Sequence, residues 1–194
     1  MKTVLLILFL VSSSFAININ DSLLKIHATL VPKVYLMDYN FEKKLHDGTI
    51  VIAILYEGSE YRAAKSLKEK IKSRYPKGIN SYKIVSKLVP YTEVSKSSAN
   101  IFYMFPSSEK MIHKSVQKAE KEHSLTFAYD QKDLNYGVMI SLNVAKKIKP
   151  ILNLEAIKRN SIEMRPILIK ISQIFTQSIA NLFENFNFIT TYKA

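Results

Sequence analysis

Two short, largely apolar runs constrain this chain most: Thr49–Tyr56 (TIVIAILY) and Ala99–Phe105 (ANIFYMF). Neither alternates with polar residues, so each must be covered on both sides. A short β-branched run of that kind reads as a strand in the middle of a sheet, and a following amphipathic helix lets the next strand pair in parallel. Ser59–Tyr75 is predicted as the first such helix, with Ser59 as N-cap, Ala63, Leu67 and Ile71 facing inward, and Pro76-Lys77-Gly78 ending it. A second strand is predicted over Ser81–Val89, closed by Pro90, with about half a turn of helix over Glu93–Ser98. Ser107 or Ser108 caps the next helix, which runs to about His123 with Met111, Val116 and Ala119 inward.

Leu125–Tyr129 then reads as a fourth strand, Asp130–Tyr136 as a loop and Gly137–Val144 as a fifth strand. Lys147–Leu152 forms a hairpin with the fifth strand, Leu154–Asn160 a short helix and Pro166–Phe183 a longer one. Ahead of the first strand, Asp21–Tyr39 reads as a helix capped by Asp21. It places Leu24, His27, Ala28, Val31, Val34 and Tyr35 on one face, and Pro32 kinks or breaks it. The order predicts an α/β fold: a single domain with a mostly parallel sheet of about five to six strands. Helices cover both faces in a Rossmann-like three-layer arrangement, and a hairpin and helices follow at the C-terminal end.

The first sixteen residues say where the chain works. Lys2 gives a positive start, Val4–Val11 is apolar, and Ser14 and Ala16 stand at the −3 and −1 positions of a cleavage site. The apolar run is shorter than the roughly 20 residues a spanning helix needs. Residues 1–16 are therefore expected to be a secretory signal peptide cut after Ala16, which leaves 194 − 16 = 178 residues. Residues 17–184 are the domain and 185–194 an aromatic, poorly periodic C-terminal tail. The expected location is the periplasm. The chain has no cysteine, so stability must come from packing, and thiol catalysis and cysteine-ligated metals are excluded.

The net charge is +12 and comes mostly from dispersed lysines; Arg occurs only at Arg62, Arg74, Arg159 and Arg165. Such a pattern is poor for reading nucleic acid, and none is expected as a partner. A weak attraction to anionic membrane surfaces is the better reading of the charge. Only four glycines are present, and neither GxGxxG nor GxxxxGK[ST] occurs. Gly58 follows the first strand where backbone amides can meet an anion, although a plain turn glycine explains it better. His113 and His123 bracket one helix about 15 Å apart, too far to share a metal. Asp130 and Asp133 could do acid–base work or hold a hard cation weakly, but Lys132 sits between them and a turn accounts for them. No catalytic, metal or cofactor-binding residues are expected.

Residues 99–172 resemble the YfiR-like family of exported bacterial proteins. Ala99–Ser107 is similar to the family strand ending in a phrase such as ILFIS, and Gly137-Val138-Met139-Ile140-Ser141-Leu142 to its Gly-Gly-Met-Ile-Asn-Phe strand. Leu152–Met164 fits the family segment Ile-Asn-Leu-x-Ala-Ala-Arg-x-Ala-Gly-Leu-x-Ile without a gap, and Leu168, Lys170 and Ile171 fit its closing LLKLA. The motif residues singled out on this basis are Gly137, Met139, Ile140, Asn153, Leu154 and Ala156, with structural roles favoured over functional ones. Gly137 suits tight entry into a strand and Asn153 an N-cap. The sequence departs from the family at Val138, Ser161 and Arg165-Pro166, and it lacks the family's common cysteines.

The resemblance implies a non-enzymatic regulator that needs no cofactor. Such a protein binds the periplasmic sensor part of a membrane signalling protein, a diguanylate cyclase or a histidine kinase, and controls its activity. The resemblance also implies homodimers, and through the cyclase a link to cyclic-di-GMP signalling. The alternative is a periplasmic small-ligand-binding module resembling one lobe of a solute-binding protein. Its pocket would lie at the strand ends near Glu57-Gly58 and Pro106-Ser107.

Overall fold

The computed structural model describes residues 19–145 and 147–176. The expected signal peptide, the tail 185–194 and the last part of the expected 166–183 helix lie outside the described residues. Helix α1 spans Asp21–Tyr35. Its cap is Asn20 rather than Asp21: Asn20 is extended, and its side-chain oxygen accepts from the amides of Ser22 at 2.8 Å and Leu23 at 3.3 Å. Asp21 instead pairs with Lys70 at 2.8 Å. Pro32 does not end the helix, because the packing of Val31, Val34 and Tyr35 into the core outweighs the one backbone bond a proline forfeits.

Strand β1 (Thr49–Tyr56) leads through a 3-10 turn, Gly58–Glu60, into α2 (Tyr61–Arg74). Ser59 lies inside that turn and Glu60 holds the N-cap position without a side-chain bond. The inward residues are Ala64, Leu67 and Ile71, with Ala63 half-buried beside them. Strand β2 (Lys83–Pro90) is followed by a 3-10 helix, Tyr91–Lys96, where half a turn was expected. Strand β3 (Ile101–Met104) leads to α3 (Glu109–Lys121), which buries Ile112, Ser115, Val116 and Ala119. Strand β4 (Leu125–Ala128) runs into a 3-10 helix, Gln131–Tyr136.

Strands β5 (Ile140–Val144) and β6 (Ile148–Leu152) form the hairpin, and α4 (Leu154–Arg159) and α5 (Pro166–Ile171) follow. The longer helix expected to begin at Pro166 stops at Ile171. Ser172 turns extended, and a short strand β7 (Gln173–Ile174) pairs in parallel with β6, Gln173 beside Ile151 and Ile174 beside Leu152. The Phe175 amide then donates to the Leu152 carbonyl at 2.8 Å, so the open edge of β6 captures backbone that helical spacing alone would have continued.

Among the described residues seven strands run in the order β2-β1-β3-β4-β5-β6-β7, and only the β5–β6 pair is antiparallel. Strand alternation divides the core. Ile50, Ile52, Ile54, Tyr103, Phe105 and Phe127 face α1, α2, α4 and α5. Val51, Ala53, Leu55, Phe102, Met104 and Ala128 face α3 and the Tyr91–Lys96 helix. This is the single three-layer α/β domain predicted, with two more strands than the lower expectation.

Candidate functional site

A groove of about 680 Å3 opens where α3, the Gln131–Tyr136 helix, α4 and the segment after β7 meet. Three motif residues line it: Gly137, Asn153 and Leu154. The other three lie beneath it in the core, Met139 and Ile140 at the start of β5 and Ala156 on α4.

Gly137 does not enter a strand as expected. Its φ of +91° ends the 3-10 helix, a left-handed position that favours glycine. A Cβ there would stand 3.4 Å from the Val116 side chain and 3.5 Å from the Arg159 guanidinium. Asn153 ties three elements together. Its side-chain oxygen accepts from the Ala156 amide at 3.1 Å, its side-chain nitrogen donates to the Leu134 carbonyl at 3.1 Å, and its own amide donates to the Met139 carbonyl at 2.8 Å. Met139 in turn donates its amide to the Thr126 hydroxyl at 2.9 Å. With these bonds made, Asn153 is committed to the groove floor.

The groove walls come from residues that no local pattern marked. His113 on α3 meets the Tyr136 ring edge-on with centroids 5.5 Å apart, and its Nε2 lies 3.4 Å from Glu109. Arg159 on α4 reaches Glu120 on α3 at 3.6 Å. Leu154 is left exposed at the mouth. An aromatic pair, an apolar side chain and an ion pair thus share one rim, a mixture suited to holding a protein surface or an amphipathic ligand.

The acids behave differently from each other. Asp130 caps its 3-10 helix, accepting from the Lys132 amide at 3.0 Å. Asp133 is wholly buried, and neither carboxylate oxygen has a hydrogen-bond partner. Burial, reinforced by nearby Asp130 and partly offset by Lys132, pushes its carboxyl up to about 7. His27 on α1 is also wholly buried, against Tyr103, Phe127 and Tyr129. Its Nδ1 and the Tyr103 hydroxyl are hydrogen-bonded at 2.9 Å, its Nε2 has no partner, and desolvation holds it down to about 3. At the strand ends near Gly58, the Ser107 hydroxyl donates to the Glu57 carboxylate, which places negative charge where an anion would sit. Among the described residues, no group of three or more His, Asp or Glu side chains is placed to hold a metal ion, and no helix is long and apolar enough to cross a membrane.

The YfiR/HmsC-like family model (DUF4154) matches residues 42–173, from ahead of β1 to the first residue of β7. The chain belongs to the YfiR/HmsC-like family. The family is regulatory and periplasmic, in keeping with the resemblance carried by Ala99–Ser107 and Leu152–Met164. No curated protein matches the chain in sequence.

Solved structures share the family member's fold at low identity. A conserved domain protein from Vibrio cholerae aligns with TM-score 0.56 and 11% identity, over 79% of this chain and 60% of that one. A substrate-binding protein with adhesive properties from Clostridium difficile, in its ligand-free open form, gives 0.52 and 14%, over 76% and 60%. The ABC domain in complex with L-Trp from Streptococcus pneumonia gives 0.50 and 11%, over 74% and 61%. The chain therefore spans about three-fifths of the length of these structures, and the likeness is one of fold.

Proposed function

We propose that this protein is exported after cleavage at Ala16 and acts as a non-enzymatic regulator. It binds the periplasmic sensor part of a membrane signalling protein, a diguanylate cyclase or a histidine kinase, through the groove rimmed by His113, Tyr136, Leu154 and Arg159. The observation that supports this reading is the family match across residues 42–173 together with a mixed apolar, aromatic and charged rim built on the family-motif residues. Regulation follows from differential affinity: a partner with two states is shifted toward the one the groove fits better. Moving it from about 1:99 to 99:1 requires roughly 10⁴-fold tighter binding to the favoured state. Homodimerisation would present two such grooves to a two-fold partner.

The test is a pull-down from the native membrane fraction with mature protein tagged at its C-terminus. Recovery of a membrane diguanylate cyclase or histidine kinase is expected. That recovery should be lost in Leu154→Asp and Arg159→Glu, two exposed changes that leave thermal unfolding near its native value. Recovery of the same partner by both variants would move the interface off this groove.

A small-ligand reading has two observations in its favour. The groove volume of about 680 Å3 falls within the roughly 300–1,000 Å3 usual for ligand pockets, and of two proteins of like fold one is in complex with L-Trp and the other is a substrate-binding protein. A thermal-shift screen of free amino acids decides it. A rise in Tm with one of them that Leu154→Asp abolishes would favour the ligand over the protein partner.

A further inference from the structure

The exposed apolar side chains of this protein are gathered at one edge. Among the described residues, all the large hydrophobics left in solvent except Tyr39 and Tyr61 lie between Val144 and Ile174. Strand register places the hairpin members on one face. Val144 pairs with Ile148 across β5 and β6, and along β6 Ile148 shares its side with Pro150 and Leu152. Leu152 belongs to the core into which α5 inserts Leu168. Around Leu168, Ile167 is 56% and Ile171 53% exposed, and Ile169 is exposed as well. The core on this face thus continues beyond α5 as an open apron of isoleucines. Scattered exposed leucines or isoleucines need no explanation, but a gathered set marks a surface that something covers.

Charge identifies what fits. From Val144 to Thr176 the exposed cations Lys147, Lys149, Lys158, Arg159, Arg165 and Lys170 face only two exposed acids, Glu155 and Glu163. Arg159 is drawn to Glu120 and Arg165 lies over the Tyr39 ring at 5.3 Å. Lys147, Lys149, Lys158 and Lys170 make no ion pair among the described residues. A second copy would bring the same positive field to the contact and be repelled. An anionic bilayer satisfies both features at once, taking isoleucines into the boundary below the headgroups and pairing lysines with phosphates.

We propose that the β6–α5–β7 edge docks on an anionic phospholipid surface. The docking holds the molecule at the membrane by the face that carries α5. It does not rest on the signalling reading, because lipid vesicles alone suffice to test it.

The experiment is flotation of the mature full chain with vesicles of phosphatidylglycerol and phosphatidylethanolamine, against vesicles of phosphatidylcholine alone. Binding is expected only to the anionic vesicles and should weaken as salt is raised. Ile167→Ser with Ile171→Ser should lower partitioning at least about tenfold. Lys170→Gln, on α5 beside Ile167 and Ile171, should lower it about fivefold. All three positions are exposed, and circular dichroism checks that the variants stay folded. Several results would overturn the proposal. One is no binding, and another is binding that the isoleucine changes leave untouched, which reflects net charge alone. A native dimer that the isoleucine changes convert to monomer would make a second copy the occupant. Binding that appears only after residues 177–194 are removed would make the chain's own C-terminal segment the occupant.

Discussion

The two faces of the sheet solve the same burial problem with opposite chemistry. On the α1 side, the buried ionisable group without a charge partner is His27, ringed by Tyr103, Phe127 and Tyr129 and kept neutral by desolvation. On the α3 side it is Asp133, near Tyr91 and next to Asp130, with no hydrogen bond to either oxygen. Both prefer the uncharged form, but a neutral histidine has lost a proton and a neutral aspartate has kept one. The comparison teaches that one fold carries two pH limits, set by different faces, and that the groove lies beside the aspartate.

The largest effect should come from removing the centre of the α1-side cluster. Phe127→Ala takes away a fully buried ring stacked on Tyr103 and should cost about 3–5 kcal/mol in urea unfolding. A loss near 1 kcal/mol would mean that this face is not the main source of stability.

The pH limits come next. His27 has its folded value lowered from 6.5 to about 3. Its contribution is therefore fully present above about pH 6.5 and is lost as pH falls toward 3. Asp133 has its folded value raised from 3.8 to about 7. Its contribution is fully present below about pH 4 and is lost as pH rises through 7. Each limb is worth on the order of a few kcal/mol. In a series of thermal melts, Asp133→Asn should leave acid stability alone and raise Tm at pH 8. His27→Leu combined with Tyr103→Phe, which removes both partners of the 2.9 Å hydrogen bond, should flatten the acid limb. A single change that moved both limbs would show that the faces are not independent.

The third effect sharpens the link between the α3 face and the groove. Asn153→Ala removes an N-cap, at about 1 kcal/mol, and leaves the Leu134 carbonyl without its side-chain donor, at about 1 kcal/mol more. An unchanged midpoint in urea would remove Asn153 from the capping role. The smallest is Gly137→Ala. Its positive φ predicts a loss of about 1 kcal/mol, read as a slightly lower Tm with the groove's partner binding retained.

Much of this was legible in the chain. The β1 and β3 runs carry no polar alternation and so read as strands covered on both sides, and spacing alone places His27 on the inward face of its helix. Asp133 was read as a turn residue, since nothing local distinguishes it from Asp130. What separates them is the Gln131–Tyr136 helix, which turns one outward and packs the other inward. His113, Tyr136, Glu120 and Arg159 were equally silent as a group, because they come from three elements that meet only after the sheet has formed. The end of α5 is hidden from the sequence for a related reason: a run of isoleucines satisfies helical spacing and strand pairing alike, and the free edge of β6 selects the latter.

The sequence by itself determined the α/β class, the central parallel strands and the family, because these depend on periodicity, apolar run length and local motif, all of which act between near neighbours. Only the tertiary structure decided that Gly137, Asn153 and Leu154 line one groove, that Asp133 and His27 lose their water, and that isoleucines gather at the β6–β7 edge. Those outcomes depend on which distant surfaces come together, and desolvation is a property of the assembled neighbourhood rather than of any residue in it.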